Sequence, residues 1–109
     1  MSTLDQNLGL SPEIIETLRN TSARYPEVDE LVIFGSRARD EARPGSDIDL
    51  AILGPKLDEG RFAELWNDLE ELPIAFKMDI IHFDQLKDNN LKKQIRRDGV
   101  VIYRNSRDD

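Results

Sequence analysis

The sequence predicts an α/β (α+β) fold, a small mixed sheet flanked by helices, and three observations carry that reading. Short apolar runs at Leu31-Val32-Ile33-Phe34, Ala51-Ile52-Leu53 and Val100-Val101-Ile102-Tyr103 have the length and bounding residues of buried strands. Between them lie segments whose apolar residues recur at helical spacing, above all Phe62, Leu65, Trp66, Leu69 and Leu72. At 109 residues the chain is long enough for one modest core but too short for a second lobe that would hold a large substrate.

Taken in order, residues 1–10 carry little pattern and are expected to form a loose arm, ahead of a domain over residues 11–104 and a polar tail over 105–109. Ser11-Pro12-Glu13 reads as a helix start: a capping hydroxyl, proline at the first helical position, and an acid at the positive end of the dipole. Ile14, Ile15 and Leu18 supply its apolar face, and Pro26 limits its extent. The first strand ends at Gly35. A short helical turn over residues 37–41 and a loop through Arg43-Pro44-Gly45 are expected to lead into the second strand, residues 47–53.

Asp58 is placed to cap a helix running to about Leu72, whose stripe is expected to pack in the core with Trp66 partly exposed at its edge. A third strand follows over residues 75–83, with Met78, Ile80 and His82 on one face and Lys77, Asp79 and Ile81 on the other. Apolar neighbours make Asp79 a costly carboxylate to leave unpaired, so a metal or cationic partner is expected there. His82, the only histidine, is read as structural. Residues 84–97 form a last helical region interrupted near Asp88-Asn89-Asn90, and Gly99 precedes the terminal strand.

Composition excludes several classes of function. With 15 basic and 22 acidic residues the formal charge is -7, which argues against a broad, sequence-independent nucleic-acid surface. Local basic groups remain at Arg37, Arg39 and Arg43 and at Lys92, Lys93, Arg96 and Arg97. The chain has no cysteine, so disulfides and thiolate metal sites are unavailable. No segment reads as a signal peptide or a membrane span, and a cytoplasmic location is expected.

The chemistry is concentrated in two stretches. A Gly35-Ser36 pair after a buried strand makes a tight turn with backbone N–H groups free to meet a phosphate. In Ser46-Asp47-Ile48-Asp49-Leu50 the two aspartates project from one face of a strand, roughly 7 Å apart at the backbone. Paired carboxylates beside a phosphate turn suit a hard cation, which takes oxygen ligands from protein, phosphate and water together.

Gly35-Ser36-Arg37-Ala38-Arg39 followed by Ser46-Asp47-Ile48-Asp49-Leu50 resembles the signature of the DNA polymerase beta-like nucleotidyltransferase superfamily. The short chain most resembles its minimal nucleotidyltransferase (MNT) branch. In that family a third carboxylate comes from a later strand, and Asp79 within Phe76-Lys77-Met78-Asp79-Ile80-Ile81 stands at the matching place. The resemblance implies a nucleotidyltransferase fold and a nucleoside triphosphate, ATP, as substrate. Gly35, Ser36, Arg37 and Ser46 would bind nucleotide and phosphate, and Mg²⁺ or Mn²⁺ would be held by Asp47, Asp49 and Asp79. Asp79 would also help deprotonate the acceptor hydroxyl. The family usually has glycine where Asp40 stands; an acid there opposes an incoming triphosphate and bears on turnover rather than fold.

MNT proteins commonly pair with a helical HEPN protein, the MNT member resembling an antitoxin that transfers AMP to a tyrosine of the HEPN ribonuclease. The implied partner is such a HEPN-type protein, or a second copy of the chain. Two other readings stand beside the enzyme: a nucleotide-binding or toxin-masking subunit without turnover, and a small-molecule nucleotidyltransferase of the antibiotic-modifying kind.

Overall fold

A computed structural model describes residues 8–39, 41, 43 and 45–105. Asp40 and the residues beyond 105 therefore lie outside the described part, as do the first seven residues of the expected arm. Ser11 caps helix α1 (Pro12–Ala23), its hydroxyl accepting from Ile14 N at 3.3 Å, with Pro12 in the first turn. Strand β1 (Glu30–Phe34) leads into the turn at residues 35–39, and strand β2 (Ile48–Leu53) returns antiparallel beside it. Helix α2 (Glu59–Glu70), capped by Asp58, crosses to strand β3 (Met78–His82), which pairs parallel with β2. A 3-10 turn (Phe83–Gln85), helix α3 (Asn89–Asp98) and strand β4 (Val100–Arg104) complete the order, and β4 pairs antiparallel with β1. The mixed sheet runs β3-β2-β1-β4.

Strand alternation decides which residues meet which layer. Leu31, Ile33, Ile48, Leu50 and Ile52 are fully buried with Leu18 of α1 and Leu65 and Leu69 of α2. Val32, Ala51, Phe83 and Ile95 form a smaller core on the opposite face, beneath α3. The α2 stripe behaves as its spacing predicts, and Trp66 at its edge stays 40% exposed. The third strand presents Met78 and Ile80 to the main core and Ile81 to the smaller one, as period-two alternation requires.

Of three local expectations, one is met and two are corrected. The short helical turn expected over residues 37–41 is present as a hydrogen-bonded turn over residues 35–39, with Arg39 N donating to Gly35 O at 3.2 Å and Glu41 N to Ser36 O at 2.8 Å. The expected loose arm is packed at its inner end: Leu8 is 3% exposed and belongs to the main core. Asp79 is exposed rather than buried, so burial alone does not demand a partner for it.

Candidate active site

β1 and β2 are staggered so that Phe34, the last residue of β1, lies opposite Asp49. On the other side of β2, Asp49 is in register with Asp79 of β3. Residues paired this way on adjacent strands share a face, so the two carboxylates stand side by side just below the turn that follows β1. Asp47 lies one residue ahead of β2 and is exposed, separated from Asp49 by the fully buried Ile48.

The turn is shaped around Asp49. Gly35 has φ of 77°, a left-handed conformation that favours glycine. A Cβ placed on it would collide with the Asp49 carboxylate oxygen Oδ2. The missing side chain is thus what allows the backbone of the turn and the carboxylate to approach each other.

Burial raises the pKa of Asp49 above its usual range, and the like charges of Asp79 and Asp47 raise it further, against the opposing charges of Arg39 and Arg37. Asp79 and Asp47 are therefore each close enough to Asp49 to disfavour its charge. Among the described residues the three aspartates do not converge tightly enough to make a three-ligand metal group by themselves. An all-oxygen set with like charges gathered around Asp49 fits a hard divalent cation that draws its remaining ligands from a bound phosphate and water. Asp47, Asp49 and Asp79 are the residues that would hold such an ion.

The other expected site residues divide between turn and scaffold. Ser36 is half-buried in the turn. Ser46 closes the returning loop, its hydroxyl accepting from Arg43 N at 2.9 Å. Arg37, expected at the phosphate, is instead 3% exposed and turned inward. Its Nε donates to Asp47 O at 3.2 Å, one terminal nitrogen to Leu8 O and Gly9 O at 3.0 and 3.2 Å, and the other to Ser46 O at 2.5 Å. The guanidinium carbon also lies 4.6 Å from the centre of the Phe76 ring. Arg39 is the exposed cation of the turn, paired with Glu41 at 2.9 Å. His82 is structural, stacked on Phe62 with ring centroids 5.2 Å apart and hydrogen-bonded through Nε2 to Gly54 O at 2.9 Å. Sequence reasoning missed Leu8, Gly9 and Phe76, because no local pattern in the sequence links them to Arg37.

The sequence matches the family profile described as polymerase beta, nucleotidyltransferase, over residues 16–108. The chain belongs to that family. Solved structures similar to this nucleotidyltransferase include a toxin-antitoxin with AMP-PNP, 24% identical over 86% of this chain and 73% of that one, with a TM-score of 0.63. A second is the Shewanella oneidensis complex of a tri-AMPylated HEPN toxin with its MNT antitoxin, 22% identical over 94% and 74% of the two chains, TM-score 0.57. A third is the toxin-antitoxin MntA-HepT, 22% identical over 93% and 73%, TM-score 0.56. At these identities the likeness is one of fold. A comparison with proteins of curated function finds no match. No helix among the described residues of the nucleotidyltransferase is long and apolar enough to cross a membrane.

Proposed function

We propose that this nucleotidyltransferase moves AMP from ATP to a hydroxyl of a helical HEPN-type partner, and so acts as the antitoxin of a toxin-antitoxin pair. The observation that carries the reading is the register of Asp49 with Asp79 beneath the Gly35 turn, which gathers carboxylates where a phosphate turn and an acceptor would meet. The similarity to MNT antitoxins solved with HEPN toxins, one of them AMPylated, supports the choice of partner.

In this reading the backbone N–H groups at Gly35-Ser36 receive the triphosphate, and Arg39, exposed beside the turn, balances its charge. Mg²⁺ or Mn²⁺, when bound, neutralises developing charge on the phosphoryl oxygens. Asp79 takes the proton of the acceptor hydroxyl, whose oxygen forms a bond to the α-phosphorus as the bond to the departing pyrophosphate breaks. Its exposure on an edge strand leaves it reachable by an acceptor carried on another protein.

Asp79→Asn keeps the size of the side chain and removes its charge. Transfer of labelled AMP to the co-purified partner should fall by orders of magnitude, while thermal melting and partner capture stay near wild type. Equal labelling by wild type and variant removes Asp79 from catalysis. If neither labels the partner yet both silence it, the chain is a masking subunit and the enzymatic reading is wrong.

A further inference from the structure

The buried guanidinium of Arg37 is spent on backbone. Its nitrogens direct hydrogen bonds to carbonyls on both sides of the site: Leu8 and Gly9 ahead of α1, and Ser46 and Asp47 immediately before β2. The ring beneath it, Phe76, lies two residues ahead of β3, the strand that carries Asp79. One side chain thus touches the chain on the approach to both acidic strands.

The segment ahead of α1 is shaped to accept it. Leu8 is sunk into the main core, and Gly9 has φ of 70°, where an added Cβ would come within 2.9 Å of an Arg37 terminal nitrogen. Among the described residues no carboxylate forms an ion pair with Arg37, and burial lowers its pKa against the opposing charges of Asp47 and Asp49. A planar fork reaches four carbonyls on two separate backbone segments at once, which the three donors on the single ammonium nitrogen of lysine cannot match.

We infer that Arg37 is a positioning residue for Asp47 and the start of β2 and that residues 8–10 are the strap that holds it, so docking of this strap sets how well the aspartates gather a metal-nucleotide. The inference rests on the proposed nucleotide site and assigns Arg37 a role that contact with phosphate would not require.

The test measures ATP binding by calorimetry with and without Mn²⁺ for wild type, Arg37→Lys, Leu8→Ala and the double variant, beside thermal melting. Leu69→Ala, a substitution in α2 within the same main core but outside the strap, serves as a control for destabilisation alone. Arg37→Lys and Leu8→Ala should each weaken Mn²⁺-dependent ATP binding by about tenfold or more, the range seen when residues that orient metal ligands are lost. Metal-free ATP affinity should not change, and the double variant should be little worse than either single one, because both act through the same contacts. Leu69→Ala should lower the melting temperature without moving the metal dependence. The inference is overturned if Arg37→Lys weakens ATP binding equally with and without metal, as a direct phosphate contact would, or if Leu8→Ala affects metal dependence no more than Leu69→Ala. A wild type without Mn²⁺-dependent ATP binding overturns the proposed function as well, whereas wild-type binding that survives both strap variants overturns this inference alone.

Discussion

Burial and the like charges of Asp79 and Asp47 hold the pKa of Asp49 above its ordinary value of 3.8, so ionising this carboxylate weakens the metal-free fold. The native state keeps the Asp49 proton more tightly than the unfolded chain does. Stability from this group is therefore fullest below the ordinary value and declines as pH rises through the raised one. Asp49→Asn should melt a few degrees higher than wild type at pH 7 in the presence of a chelator, and the gap should close as the pH is lowered toward 3.8. With Mg²⁺ and ATP added the order should reverse, because only the wild type gains from binding. Melting curves that coincide at every pH would show that Asp49 carries no such strain. Asp47 and Asp49 were readable from their spacing and Asp79 through the family resemblance; their ranking was not, since Asp49 is the half-buried one and Asp79 the exposed one.

At the scale of elements, local sequence signals place the helix starts. Ser11, Asp58 and Asp88 each accept a hydrogen bond from a first-turn N–H, and each is a residue type that favours this position. α2 adds a tertiary bracket: Arg61 bonds Glu27 at 2.8 and 3.1 Å and Glu64 at 2.6 Å, and its guanidinium lies 4.5 Å from the centre of the Tyr25 ring. Asp58→Ala removes the cap while leaving this bracket, and should cost about 1 kcal/mol in chemical denaturation. A loss too small to measure would mean that packing of Leu65 and Leu69 alone fixes the start of α2. The turn after β1 draws on tertiary contacts as well. The short helical turn expected over residues 37–41 is a hydrogen-bonded turn over residues 35–39, shaped by Gly35 in a left-handed conformation and the inward pull on Arg37.

At the scale of the whole molecule, the described residues form a single sheet of four strands that carries the candidate site at the strand ends, with no second lobe among them to hold an acceptor. In the proposed function a partner chain positions the acceptor. Co-expression with a helical HEPN-type protein should give a complex that co-elutes on size exclusion and survives moderate salt, since a net charge of -7 does not by itself supply specific docking. A chain that stays monomeric and captures neither a HEPN-type protein nor a second copy of itself would count decisively against the proposed partner.

The sequence by itself determined the fold class, the order of its strands and main helices, and the two motifs of the candidate site, because strand alternation, capping and a glycine turn are written within a few consecutive residues. Asp79 was legible only beside those motifs, through a family resemblance, since one aspartate in a strand carries little information alone. Tertiary structure decided the rest. Only the pairing of β2 with β3 sets Asp49 beside Asp79, and only packing shows that Gly35 makes room for the Asp49 carboxylate. The same holds for Arg37, whose neighbours Leu8, Ser46 and Phe76 are scattered along the chain. An arginine next to a phosphate turn reads as a phosphate ligand until burial and backbone carbonyls, neither of them visible in sequence, claim its donors.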